Sequence, residues 1–97
     1  MTPNVATRRA PRAVIVEDEA LVAEDARSML TDLGYEVVGL AARADEALTI
    51  IRGQRPSVVL MDIHLKDGSS GIDVSREVRR ELDIPVVFAT AFADAET

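Results

Sequence analysis

The chain has 97 residues, no cysteine, one histidine and a net charge of −6. One globular domain fits this length, whereas disulfides, cysteine-based zinc sites and a histidine cluster are excluded. No apolar run approaches the roughly 18 residues that span a bilayer, and no apolar signal segment follows Met1, so we expect a cytoplasmic protein without membrane contact.

Residues 1–11 are predicted to form a disordered basic arm ahead of the domain. Arg8, Arg9 and Arg12 are the only charged side chains before residue 14, and the rest of the chain is strongly acidic. A body of that charge repels nucleic acid phosphates, so direct nucleic acid binding is not expected. Contact between the arm and DNA or an acidic partner is the alternative to a solvated leader.

The first predicted strand is the apolar run at residues 13–16, which ends in Glu17, Asp18 and Glu19. From residue 20 the apolar spacing becomes helical, and Gly34 provides a helix stop. The apolar face of this helix is assigned to Val22, Ala26, Met29, Leu30 and Leu33. Acids at a helix start also complement the helix dipole, which is the alternative to a functional role for this trio.

Residues 36–40 form an interrupted second strand, which we expect at a sheet edge. Helical spacing then returns, and its apolar face comprises Ala44, Ala47, Leu48 and Ile51. Gly53 and then Pro56 are expected to end this helix.

Residues 58–62 form the most apolar strand, typical of a central parallel strand that is buried on both faces. Asp62 comes where that strand surfaces, at the edge where open α/β sheets place their ligands. The alternative is an aspartate that starts a turn. A third helix follows the break at residues 68–71, with Gly71, Val74, Ser75, Val78 and Leu82 on its apolar face, and residues 86–90 form the fourth strand.

The alternation of strands and helices predicts an α/β fold, a doubly wound parallel sheet with helices on both faces. Polar groups end three strands: Glu17 and Asp18 the first, Asp62 the third and Thr90 the fourth. If the first and third strands are neighbours, about 5 Å apart, their carboxylates share one pocket. Oxygen ligands there favour Mg²⁺, and Mg²⁺ beside a further aspartate is what aspartyl-phosphate chemistry requires, with Thr90 bonded to a phosphoryl oxygen.

Three segments, VIVEDE at 14–19, LMDIH at 60–64 and IPVVFATA at 84–91, resemble the receiver domain of two-component response regulators. The resemblance runs from Arg12 to about Asp94, so the receiver is assigned to residues 12–97. It implies a flavodoxin-like strand order of 2-1-3-4. Glu17 stands where the family more often has aspartate, and Gly71 falls one residue later than the common spacing.

The resemblance also implies site roles. Asp62 would accept a phosphoryl group from a histidine kinase or phosphotransfer protein. Asp18 would bind Mg²⁺ directly and Glu17 would bind it through water or position it, with Asp62 and the backbone carbonyl of His64 completing the ligands. The His64 imidazole has no implied role, because a carbonyl ligand is indifferent to residue type.

The same resemblance makes Thr90 the switch hydroxyl, and the backbone N–H of Ala91 would face the same phosphoryl oxygens. Residues 91–97 do not supply the family's fourth helix, fifth strand and fifth helix, nor its phosphoryl-pairing lysine. We therefore expect a truncated receiver that is not an enzyme, in which self-catalysed phosphoryl transfer is impaired. The exposed edge of the fourth strand would favour a homodimer.

Three functions remain open on these residues. The first is a phosphoacceptor receiver, and the second is a receiver that no longer switches and acts as a docking or dimerisation module. The third, a metallohydrolase with oxygen ligands, is the weakest, because no general base or substrate-binding group accompanies the acids and Thr90.

Overall fold

The computed structural model describes residues 10–65 and 68–89, where four parallel strands and three helices alternate. In chain order they are β1 (Arg12–Val16), α1 (Ala20–Asp32), β2 (Glu36–Ala41), α2 (Ala44–Gln54), β3 (Val58–Met61), α3 (Gly71–Leu82) and β4 (Val86–Phe88). The strand order β2-β1-β3-β4 confirms the predicted flavodoxin-like order, with β2 at an edge. Within the described ranges, no helix combines the length and apolar character that a membrane crossing needs.

The two faces of the sheet carry separate hydrophobic clusters, as expected for a doubly wound sheet. Successive residues of β1 point to opposite faces, and those at positions 13–16 are all at most 1% exposed. On one face Val14 and Val16 pack with Ile51 of α2 and Val78 of α3. On the other face Ala13 and Ile15 pack with Ala26 and Leu30 of α1, so β1 is buried on both sides.

The apolar face predicted for α1 is partly wrong. The structure buries Ala23, Ala26 and Leu30, whereas Leu33 is 67% exposed. Leu33 follows Asp32, the last helical residue, so it no longer continues the helical spacing that would turn it toward the sheet. Ala23, which the predicted face omitted, is 7% exposed.

Glycine was predicted to end each of the first two helices, and the structure agrees for α1 but not for α2. Gly34 adopts φ 96° directly after α1, which confirms the predicted stop. The prediction that Gly53 ends α2 is wrong, because the helix continues to Gln54 and Arg55 takes the left-handed conformation at φ 48°. Gly53 therefore lies inside the last helical turn, and Pro56 prevents further continuation.

The amino-terminal ends of β1 and β3 are joined by side chains. The backbone N–H of Arg12 donates to Ser57 Oγ at 3.2 Å, and the Ser57 N–H donates to the Arg12 carbonyl at 2.7 Å. The Arg12 guanidinium also donates to the carbonyl of Gln54 at 2.6 Å and to its side-chain oxygen at 2.5 Å. These bonds fix the start of β1 against the end of α2. Residues 1–9 of the predicted arm lie outside the described residues.

Candidate metal site at the carboxyl edge of the sheet

Backbone hydrogen bonds set the relative positions of the strand ends that carry the acids. Val16 lies opposite Met61 in the parallel β1–β3 pair. One residue further on, the Asp62 N–H donates to the Val16 carbonyl and the Ala89 N–H donates to the Met61 carbonyl, both at 2.8 Å. The residue after β1, Glu17, and the residue after β3, Asp62, therefore lie side by side at the carboxyl edge.

The three carboxylates that the sequence predicts as metal ligands meet at this edge. Glu17, Asp18 and Asp62 each offer one oxygen, these oxygens lie within 4.8 Å of one another, and all three residues are partly buried. Carboxylates at this spacing repel each other when ionised unless a cation lies between them. An all-oxygen, partly solvated donor set fits Mg²⁺, which retains several waters and takes one or two carboxylates.

The electrostatics of the cluster are visible at Glu17. Partial burial, together with the negative charges of Asp62 and Asp18, raises the pKa of Glu17 from 4.5 to about 7, against the lowering effect of a hydrogen bond from the Glu19 N–H. That bond joins the Glu19 N–H to a Glu17 carboxylate oxygen at 3.1 Å. In the metal-free fold Glu17 therefore keeps its proton to a higher pH than an ordinary glutamate does, and a divalent cation would displace that proton.

His64 follows Asp62 in a loop that turns back on itself. The His64 N–H donates to Asp62 Oδ1 at 3.3 Å, and His64 forms an isolated antiparallel bridge with Ser70. The bonds of this bridge run from the Leu65 N–H to the Ser69 carbonyl and from the Gly71 N–H to the Ile63 carbonyl. The bridge thus uses neither the N–H nor the carbonyl of His64, and its side chain is exposed.

The same loop is anchored at both ends. Leu65 is 5% exposed and belongs to the core cluster shared with α2 and α3. Ser70 caps α3, because its hydroxyl oxygen accepts the Ile72 N–H at 3.1 Å. Core packing therefore fixes Leu65, and the cap fixes Ser70 at the start of α3.

A cleft of about 320 Å³ adjoins the cluster, between the start of α1 and the turn after β2. Its walls include Glu17 and Asp18, and Glu24 and Glu46 contribute two further carboxylates. Glu46 also accepts the Ala42 N–H at 2.9 Å. The sequence pattern does not single out Glu46, because its place beside Ala42 depends on the turn that joins β2 to α2.

The structure thus brings the carboxylates of Glu17, Asp18 and Asp62 together at the predicted edge, and it places the His64 N–H against Asp62. Thr90 and Ala91, the predicted switch hydroxyl and backbone N–H donor, lie outside the described residues. The sequence analysis placed Gly71 on the apolar face of α3, and the structure adds that a Cβ atom at this position would overlap the Asp62 carbonyl oxygen. The available signal was a glycine at the first position of a helix, where no helix stop is needed.

The sequence of residues 13–97 matches the profile of the response regulator receiver domain family. The phyllosphere-induced regulator PhyR of Methylorubrum extorquens is 37% identical over 92 residues, which cover 94% of this chain and 34% of that protein. The crystal structure of the response regulator PhyR from Brucella abortus has a TM-score of 0.79 and 45% identity over 89% of this chain and 35% of that one.

A second similar structure is the co-crystal of the anti-anti-sigma factor PhyR complexed with the anti-sigma factor NepR from Bartonella quintana. Its TM-score is 0.77, with 38% identity over 88% of this chain and 35% of that one. This chain therefore spans about a third of the length of these three relatives. Its sequence match, strand order and acidic edge agree, and the chain belongs to the response regulator receiver domain family.

Proposed function

We propose that this receiver domain accepts a phosphoryl group on Asp62, with Mg²⁺ bound, from a histidine kinase or a phosphotransfer protein. The observation that carries the proposal is the meeting of Glu17, Asp18 and Asp62, whose carboxylate oxygens lie within 4.8 Å of one another. The carboxylate of Asp62 is partly accessible, as an attacking group must be. A hydrolase would also need a general base and a substrate-binding group, whereas a phosphoacceptor needs a nucleophilic carboxylate beside a metal site.

In this proposal each residue of the cluster has a separate role in metal binding or in phosphoryl transfer. Asp18 and Asp62 would bind the metal directly, Glu17 would bind it through water or position it, and the His64 carbonyl would supply a further oxygen. Bound Mg²⁺ neutralises negative charge on the transferring group. An Asp62 oxygen forms the new O–P bond while the N–P bond of the donor phosphohistidine breaks, and the histidine leaves with its nitrogen lone pair restored.

The remaining assignments belong to the same proposal. Thr90 would donate its hydroxyl, and Ala91 its backbone N–H, to oxygens of the transferred phosphoryl group. Residues 1–11 would form a basic arm and residues 12–97 the receiver unit. A chain without cysteine suits the reducing cytoplasm, where we place the protein.

Mass spectrometry with a small-molecule phosphodonor tests phosphoacceptance. The wild-type chain should gain the mass of one phosphoryl group in Mg²⁺ and none in EDTA. Asp62→Asn should gain none under either condition, because an amide does not attack phosphorus in this way. Asp25→Asn, which changes an exposed carboxylate on α1, is the matched control and should label like the wild type. Equal labelling of wild type and Asp62→Asn would rule the proposal out.

A second candidate is a docking or dimerisation module that transfers no phosphoryl group. Two observations favour it: Val87 of β4 is 53% exposed, and β4 pairs only with β3 among the described strands. The similar protein from Bartonella quintana is found in a complex with another protein. Light scattering of the wild type and of Val87→Lys tests the homodimer form: a concentration-dependent dimer that the lysine abolishes would support it, and two monomers would exclude it.

A further inference from the structure

Gly71, the first residue of α3, lies against the backbone of Asp62. A Cβ atom added at Gly71 would overlap the carbonyl oxygen of Asp62, and it would come within 2.9 Å of both the Asp62 carbonyl carbon and Met61 Cγ. The nearest of these atoms, the Asp62 carbonyl oxygen, belongs to the backbone, which shifts far less easily than the end of a flexible side chain. The absence of a side chain at Gly71 therefore allows α3 to begin this close to Asp62.

The surrounding bonds leave Asp62 little room to move away from such a group. Its N–H is bonded to Val16 of β1 at 2.8 Å, so the peptide that precedes Asp62 is fixed by the sheet. The Gly71 N–H is bonded to the Ile63 carbonyl at 2.6 Å, so α3 also holds the peptide that follows Ile63. The freedom that remains is rotation of the peptide between Asp62 and Ile63, about ψ of Asp62.

Because the Ile63–His64 peptide is held by the Gly71 N–H, an added Cβ that displaces Gly71 would move this peptide too, and with it His64 relative to the Asp62 side chain. The His64 N–H contacts Asp62 Oδ1 at 3.3 Å and would move with the chain, as would the His64 carbonyl. Both the carboxylate orientation and a proposed ligand thus depend on the contact between Gly71 and Asp62. Groups that orient metal ligands in this way strongly affect metal affinity without touching the metal.

We propose that Gly71 is a positioning residue. Because it has no side chain, it determines where the Asp62 carboxylate lies relative to the His64 carbonyl. The inference rests on the proposed Mg²⁺ site and names a residue outside it. Replacing Gly71 should weaken Mg²⁺ binding by about 10- to 100-fold, the range seen when groups that orient metal ligands are lost.

Isothermal titration with MgCl₂ on the full chain tests this with the variant Gly71→Ala and two controls. Gly53→Ala changes another helical glycine, where an added Cβ would meet no atom within 4 Å. Val78→Ala removes a buried side chain, 1% exposed, from a later turn of α3 and matches any general loss of stability. Both controls should keep the wild-type Mg²⁺ affinity within about twofold, because no hydrogen bond joins either residue to the described part of the segment after Asp62.

A second readout separates positioning from stability. Chain labelled with ¹³C at aspartate carboxyl carbons should show an Asp62 resonance that Mg²⁺ shifts strongly in wild type and Val78→Ala, and weakly in Gly71→Ala. Unchanged Mg²⁺ affinity in Gly71→Ala, or equal losses in Gly71→Ala and Val78→Ala, would overturn the inference. A wild-type chain that binds no Mg²⁺ would instead overturn the proposed function, and this inference with it.

If Gly71→Ala does not fold, amide hydrogen exchange measured on the wild type tests the inference instead. Mg²⁺ should slow exchange of the Gly71 N–H, which is bonded to Ile63, by about tenfold more than it slows exchange of the Val78 N–H in the same helix. Equal slowing at both amides, or none at either, would overturn the inference.

Discussion

The backbone N–H of Asp62 donates a 2.8 Å hydrogen bond to the carbonyl oxygen of Val16. This bond extends the β1–β3 pairing by one residue and places Asp62 beside Glu17. Because side chains alternate between the two faces of a sheet, a shift of one residue in this register would send the two carboxylates to opposite layers. The register of two buried strands therefore determines whether the chain has an acidic cluster at all.

Removing one carboxylate from the cluster should weaken Mg²⁺ binding. We expect Asp18→Asn to lower Mg²⁺ affinity by at least about tenfold, because even the loss of a group that only orients a ligand costs that much. Isothermal titration measures the change. Asp25→Asn, at an exposed position of α1, should bind like the wild type, and a similar loss in both variants would point to net charge instead of a site.

Stability without metal should fall as the pH rises toward neutrality. Glu17 has an ordinary pKa of 4.5 and a pKa of about 7 in the folded chain. Between these values the folded state binds a proton that the unfolded state has released, so the free energy of unfolding decreases from pH 4.5 to about 7 and then levels off. Thermal unfolding in EDTA across this range should show the decrease, and Glu17→Gln should flatten it.

Mg²⁺ should counteract the loss of stability at higher pH, because it competes with the proton for Glu17. We expect its affinity to rise between pH 6 and pH 8, and the melting temperature gained from Mg²⁺ to be larger at pH 8 than at pH 5.5. Differential scanning calorimetry at the two pH values measures this. A gain that does not depend on pH in the wild type would contradict the proton displacement.

Two glycines at helix ends should respond in opposite directions to alanine. Gly34→Ala should destabilise the chain by about 1 kcal/mol or more, because alanine at φ 96° is strained. Gly53→Ala should stabilise it by roughly 0.5–1 kcal/mol, because Gly53 is helical and an added Cβ meets no atom within 4 Å. Urea denaturation of both variants provides the measurement, and effects of the same sign would contradict the helix ends described above.

The core between the sheet and α2 should be sensitive to cavities. Ile51 is fully buried, so Ile51→Ala should cost about 2–5 kcal/mol in free energy of unfolding. Leu21 is 82% exposed on α1, and Leu21→Ala should change stability by less than about 0.5 kcal/mol. Chemical denaturation checks the pair, and a small effect at Ile51 would place α2 elsewhere than on this sheet face.

The positions of the strands, helices and acids along the chain could be predicted because each depends on local pattern. An uninterrupted apolar run identified the central strand, and Asp62 marked the point where it reaches solvent. The resemblance to receiver domains supplied the strand order, which no local pattern contains. The exposure of Leu33 was not predictable from spacing alone, since it depends on where α1 ends.

The contact between Gly71 and Asp62 could not be predicted from the spacing of apolar residues. It exists only because the loop after β3 folds back through the bridge of His64 and Ser70 and returns α3 to the strand it left. Periodicity places Gly71 on the buried face of α3 and gives no information on what it touches. Close approach to backbone is one of the few reasons for a glycine at such a position, so its identity was the available clue.

The hydrogen bonds that join Arg12 to Ser57 and Gln54 have a practical consequence for experiments on this chain. They fix the start of β1 at the amino edge, and five residues of strand at about 3.3 Å each separate that edge from the acids by roughly 16 Å. A fluorophore attached at Ala10 would therefore lie at the opposite edge of the sheet from Asp62, near the start of β1. Immobilising the protein through that end should leave the acidic edge open to a phosphodonor or partner in solution.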